Sequence, residues 1–216
     1  RRDPERLHRL QKRMRRLVKN YPGRVALKAM QGVPAHALPR LAAKKCDLVV
    51  MGTHGYGGLA RVIHGSMAET IMRAAEKPVL AVHAGPGQIA LKRLLCPYNM
   101  RGYSIPALKY AARLALALKA ELTVLYVPSK TQRGIEALAR LDIEVRRILK
   151  PLAPDFALEV IRGEPGKIMA QDAERGGFDL VILAEHQGPW PGRLWGTTAE
   201  RLLRRLATPM LTVPAA

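Results

Sequence analysis

The sequence predicts a doubly wound α/β fold with a parallel sheet, arranged as a tandem repeat. Short runs apolar on both faces alternate with longer stretches of helical periodicity, the pattern of a parallel sheet covered on both sides. Right-handed crossovers between such strands place helices on both faces. The chain also repeats itself. Asp47-Leu48-Val49-Val50 recurs as Asp179-Leu180-Val181-Ile182, and Gly65-Ser66-Met67-Ala68-Glu69 as Gly196-Thr197-Thr198-Ala199-Glu200. Lys77-Pro78-Val79-Leu80-Ala81-Val82 recurs as Thr208-Pro209-Met210-Leu211-Thr212-Val213, and Gly32-Val33-Pro34 as Gly163-Glu164-Pro165. The offset is 131 or 132 residues throughout, so the copies differ by single-residue insertions.

The first unit, 1–84, opens on a basic helix whose Leu7, Leu10, Met14, Leu17 and Val18 share one face. That stripe is expected to dock on a core, with the arginines as a solvated outer face. A strand follows at Val25 to Met30 and a helix at about Pro34 to Lys45, in which Pro39 conflicts with local rules unless the helix starts later. Leu48 to Met51 is the next strand, Ser66 to Ala75 a helix and Val79 to His83 a strand. Residues 85–90, including Gly85-Pro86-Gly87-Gln88, form a short linker. The second unit, 91–216, is complete. It reads as a strand Leu91 to Cys96, a helix Ile105 to Leu118, a strand Glu121 to Val127 and a helix Gly134 to Leu149. A strand Phe156 to Arg162, a helix Pro165 to Arg175, a strand Leu180 to Leu183, a helix Thr197 to Leu206 and a strand Met210 to Val213 complete it. The first unit lacks the opening strand, helix and strand of the second. A sheet without its first strand exposes the flanks of its neighbours, so residues preceding Arg1 are expected.

Composition narrows the class of function. The 216 residues are 48% hydrophobic and 25% charged, which is globular and not disordered. The formal net charge of +19 favours anionic partners. Arg1, Arg2, Arg6, Arg9, Lys12, Arg13, Arg15, Arg16 and Lys19 crowd the start, opposed there by Asp3 and Glu5. Nucleic-acid binding through that helix is the weakest reading, because stacking aromatics and a recognition motif are both missing. The longest apolar stretch, Ile105 to Val127, is broken by Lys109, Arg113, Lys119 and Glu121, too charged to span a bilayer. Cys46 and Cys96 lie far apart beside apolar runs and read as thiols in a reducing, cytoplasmic compartment. His8, His36, His54, His64, His83 and His186 form neither HExxH nor a Cys/His cluster, and the sequence has no nucleophile elbow and no Walker lysine. An enzyme is therefore not expected.

One stretch carries binding chemistry. A strand ending on Gly52 leads to Gly55, then, after nine residues, to Gly65-Ser66 at a helix start. Glycines let the backbone approach a ligand closely. The first amides of a helix have no intrahelical partner and sit at the positive end of its dipole, so they suit a phosphate. Ser66 fits the N-cap and adds a hydroxyl.

These residues resemble the universal stress protein family. Met51 to Val82 is similar to the second half of such a domain, with its Gly-x-x-Gly-x9-Gly-(Ser/Thr) loop and its Lys-Pro-Val-Leu final strand. The resemblance implies a flavodoxin-like α/β sandwich, pairing between domains or chains through the final strands, and ATP binding in some members. Carried over by position, it implies that Gly52, Gly55, Gly65 and Ser66 wrap the phosphates, that Met51 and Met67 flank the nucleotide, and that His54 lies beside it. A nucleotide-associated Mg is the only metal expected. The second unit departs from the pattern: Ala184 and Gln187 replace the first two glycines, and Pro189, Trp190, Pro191 and Trp195 fill the loop. Prolines remove amide donors and indoles add bulk. Where the family's first strand ends in an acidic residue near adenosine, this chain has Asn99. The expectation is a stress-response protein that binds ATP or AMP in its first unit, as a signal and not a substrate. The alternative is a non-nucleotide interaction module, such as the regulatory domain of a membrane transporter.

Overall fold

The computed structural model describes residues 4–29, 32–52, 70–72, 74–82, 90–128, 134–152, 154–185, 202, 206 and 208–215. In chain order these form α1 (Pro4–Leu17), α2 (Pro34–Lys45), β1 (Val49–Gly52), β2 (Val79–Val82) and β3 (Arg93–Pro97). A 3-10 turn (Gly102–Ser104) leads into α3 (Ile105–Leu118). β4 (Glu121–Tyr126), α4 (Gly134–Leu149), β5 (Ala157–Val160), α5 (Pro165–Arg175), β6 (Leu180–Glu185) and β7 (Met210–Pro214) follow. Residues 70–72 and 74 are helical as well.

All seven strands join one sheet in the order β1-β2-β7-β6-β3-β4-β5. Neighbours are parallel except β2 and β7, the final strands of the two units, which run antiparallel. Their register is Val79↔Thr212, Leu80↔Leu211 and Ala81↔Met210. Leu80 thus faces its own repeat counterpart, and the residues on either side pair crosswise. This is the self-complementary pattern of an approximate twofold axis. The Thr212 hydroxyl, buried in the sheet, donates to the Val79 carbonyl at 3.4 Å.

Strand alternation splits the core between the two faces. Leu94, Cys96, Leu122, Val124, Leu180, Ile182, Leu211 and Val213 pack on one side with α3 and α4. Leu95, Leu125, Val181, Leu183, Met210, Val79 and Ala81 pack on the other with Met72, Leu202, Leu206 and α5. Helices therefore cover both faces, and the doubly wound arrangement follows. The start of β3 is pinned by Asp179, whose carboxylate accepts the Lys92 and Arg93 amides at 2.8 and 2.9 Å. Gly32 and Gly163 hold φ of +149° and +152° at matching positions, two residues before a helix. A Cβ at Gly163 would stand 2.7 Å from the Ile168 side chain, so glycine is required there.

Three local expectations need correction or comment. α1 forms, but it does not dock: Leu10 is 45% and Leu17 78% exposed, and α1 makes no more than marginal contact with any described element. At a constant offset of 131 residues, Leu10, Met14 and Val18 correspond to Leu141, Val145 and Leu149 of α4, all buried against the sheet. The first unit has no described counterparts of β3, α3 and β4 to receive the same stripe. For the same reason residues 25–29 form no strand, although 26–29 correspond to β5, which pairs with β4. Met30 lies outside the described residues. Val50 is 61% exposed on the same side, whereas its counterpart Ile182 is fully covered. Pro39 sits inside α2, buried, and the helix runs through it. The cost is confined to the Ala35 carbonyl, which lacks the amide four residues on.

The two cysteines are free. Cys96 is fully buried in β3, and burial pushes its thiol up to about 12. Cys46 is half-buried. Among the described residues, no helix is long and apolar enough to cross a membrane.

Two measurements check this packing. Leu141→Ala should lower the unfolding free energy by about 2–5 kcal/mol, because it opens a cavity in a closed core. Leu10→Ala at the equivalent position should cost under about 0.5 kcal/mol. Equal losses in denaturant melts would place α1 against a core after all. Iodoacetamide at mildly alkaline pH should alkylate Cys46 in the native protein and Cys96 only after denaturation, as read by mass spectrometry. Native labelling of Cys96 would contradict its burial.

Candidate functional site

The candidate site begins where β1 ends. β1 and β2 pair in parallel with Gly52 opposite Val82, so both strands deliver their carboxyl ends to one rim of the sheet. That rim is the usual crevice for a ligand in an open α/β sheet. Alternation turns Val49 and Met51 toward the core shared with Met72, and Met51 is half-buried there. Gly52 faces the other side, where a Cβ built on it would meet no atom of the described residues within 4 Å. His54, Gly55, Gly65, Ser66 and Met67 lie outside the described residues. The helical residues that follow them are anchored, since Ile71 and Met72 are buried.

In the second unit the corresponding rim is built differently. Ala184, the counterpart of Gly52, is half-buried near the end of β6, and Glu185 beside it is only 4% exposed. Glu185 takes the place of Thr53 and sets a carboxylate where the first unit has a neutral residue. The sequence reading passed over it, although an acidic residue closing the run Asp179-Leu180-Val181-Ile182-Leu183-Ala184 was its visible signal. Gln187, Pro189, Trp190, Pro191 and Trp195 lie outside the described residues.

Asn99, at the end of β3, has its amide engaged locally. Its Oδ1 accepts from the Ser104 hydroxyl at 2.9 Å and the Arg101 amide at 3.1 Å, and its Nδ2 donates to the Tyr103 hydroxyl. These bonds shape the turn into α3, with Met100 at φ +59°. Tyr98 is buried and donates to Glu144 at 2.6 Å, and burial foremost, with that bond, raises its phenol above the ordinary range. Neither residue offers a reactive group to the rim. Among the described residues, no group of three His, Cys, Asp or Glu side chains is placed to hold a metal. His8 and His36 are exposed, and the other four histidines lie outside the described residues.

Comparison with known proteins gives the family. The sequence model described as the universal stress protein family matches twice, at residues 2–83 and 90–214. A universal stress protein of Methanocaldococcus jannaschii is 38% identical over 72 residues, 33% of this chain and 42% of that protein. The chain thus spans under half the length of that curated relative. The crystal structure of a universal stress protein from Archaeoglobus fulgidus covers 98% of this chain and 79% of its own, with a TM-score of 0.80 at 17% identity. A universal stress protein solved in complex with cAMP covers 59% of this chain and 99% of its own, with a TM-score of 0.51 at 20% identity. At such identities the structures speak for the fold. The two matches to the family model take in most of the sequence, one in each repeat, and the chain belongs to the universal stress protein family.

Proposed function

We propose that this chain binds an adenine nucleotide, ATP or AMP, through the Gly52-x-x-Gly55-x9-Gly65-Ser66 loop of its first unit and acts as a stress-response signalling protein. The observation that carries the reading is Gly52: it closes a parallel strand at the carboxyl-end rim of the sheet, where a Cβ would meet none of the described residues. Gly55, Gly65 and Ser66 would complete the cradle, with backbone amides and the Ser66 hydroxyl as donors to phosphate. Met51 and Met67 would flank the ligand and His54 would lie beside it, with Met51 half-buried near the end of β1. A relative of the same family is solved with cAMP, which supports an adenine ligand. A phosphate-associated Mg would come with the nucleotide, not from a protein cluster. Signalling is proposed over catalysis because the sequence has no nucleophile elbow and no Walker lysine after the glycine loop. Two unpaired cysteines suit a cytoplasmic setting.

In this reading the units 1–84 and 91–216 divide their roles. At the second unit's rim Ala184 and the buried Glu185 stand in place of Gly52 and Thr53, so that unit lacks the first glycine of the cradle and serves as partner and support.

Calorimetry on the 216-residue chain tests both halves. ATP should bind with one site per chain. Gly52→Val should weaken binding by at least about tenfold while leaving the melting temperature nearly unchanged, since its Cβ meets none of the described residues. Gly65→Val should weaken it to a similar degree. Unchanged affinity in both variants would remove the loop from the site. A stoichiometry of two would show that the second unit binds nucleotide as well.

A further inference from the structure

A second basic site lies at the far edge of the sheet. The last turn of α4 and the segment leading into β5 border an open cleft of about 570 Å³ lined by Arg146, Arg147, Leu149, Lys150, Pro154 and Phe156. Its volume falls within the range of small-molecule sites. All its charged lining residues are cations, while Leu149, Pro154 and Phe156 supply an apolar wall. Arg146 is held in place from two sides: its Nε donates to Asp142 at 2.7 Å, and its guanidinium lies 5.3 Å from the centre of the Phe156 ring. A guanidinium fixed in this way binds an oxyanion with less ordering cost than a free surface arginine. The repeat adds an independent observation. Arg146, Arg147 and Lys150 recur at the end of α1 and in the turn after it, at the same offset of 131, as Arg15, Arg16 and Lys19. The two copies have diverged in the glycine loop but both retain Arg-Arg-x-x-Lys.

We propose that the α4–β5 cleft binds a small organic phosphate, with its anionic group on Arg146, Arg147 and Lys150 and its apolar body against Leu149, Pro154 and Phe156. Arginines supply paired donors that match phosphate oxygens, and lysine adds a point charge. The site is separate from the glycine loop. β1 and β5 are the two edges of the sheet, six steps of about 4.8 Å apart, or about 29 Å. It also does not depend on the nucleotide reading, because none of its residues belongs to that loop.

The test is titration calorimetry of the 216-residue chain with 1-naphthyl phosphate, and with inorganic phosphate in parallel. The naphthyl ester should bind, and more tightly than inorganic phosphate, because the wall contributes. Arg146→Gln with Arg147→Gln should lower its affinity by about tenfold or more. Lys109→Gln with Arg113→Gln, which removes the same charge from exposed positions on α3, should change it by less than about twofold. Gly52→Val should leave it unchanged, which separates this site from the nucleotide loop. Equal losses in the two charge-matched double variants would reduce the effect to the overall positive field and overturn the proposal. So would failure of the naphthyl ester to bind the unaltered chain.

Discussion

The antiparallel pairing of β2 with β7 is the contact on which the architecture rests. β1 and β2 alone are a two-stranded ribbon, too small to be stable without neighbours. Joined to β7 they become the end of a seven-stranded sheet, and Val79 and Ala81 enter the same core as Met210 and Val181. The pairing also reverses direction between the units. Because Leu80 meets Leu211, its own counterpart, one short set of backbone bonds serves both repeats equally. The Thr212 hydroxyl adds a buried bond across that seam.

With that seam in place, the repeat becomes a comparison of one sequence pattern in two surroundings. Leu10 and Leu141, or Val50 and Ile182, are equivalent positions with opposite burial. Nothing in the side chains distinguishes them; the difference lies in whether strands and helices stand opposite. Residues 25–29 make the same point for the backbone. Their counterparts form β5 because β4 offers a ladder, and without one the segment stays irregular. Propensity proposes an element, and a partner makes it.

This explains what could be read from the sequence. Helices such as Ile105–Leu118, Gly134–Leu149 and Pro165–Arg175 are legible in the sequence, the last two with approximate ends, because periodicity and end signals are local. The strand at Val25 to Met30 and the docking of α1 were misread, because both depend on contacts distant in sequence. At the candidate site, the glycine spacing was visible and Gly52 ends its strand as expected. Which way each residue faces was not, and the structure turns Met51 into the core. Asn99 stands where the family has an acidic residue, and its amide organises its own turn. The basic cleft is not legible in sequence, because Arg146, Arg147 and Lys150 become neighbours of Phe156 only when the chain returns from α4 into β5.

The reversal of strand direction at the β2–β7 seam has an evolutionary consequence. Two duplicated units joined in parallel would open their loops on the same rim and could come to share one ligand. Here the carboxyl ends of β1 and β6 lie on opposite rims, because β1 is parallel to β2, β6 to β7, and β2 antiparallel to β7. A change of Gly to Ala184, or of Thr to Glu185, on one rim leaves the other untouched, while the shared seam keeps both halves folded. Such geometry frees one copy of a duplicated gene to drift or to acquire a new role without loss of the first.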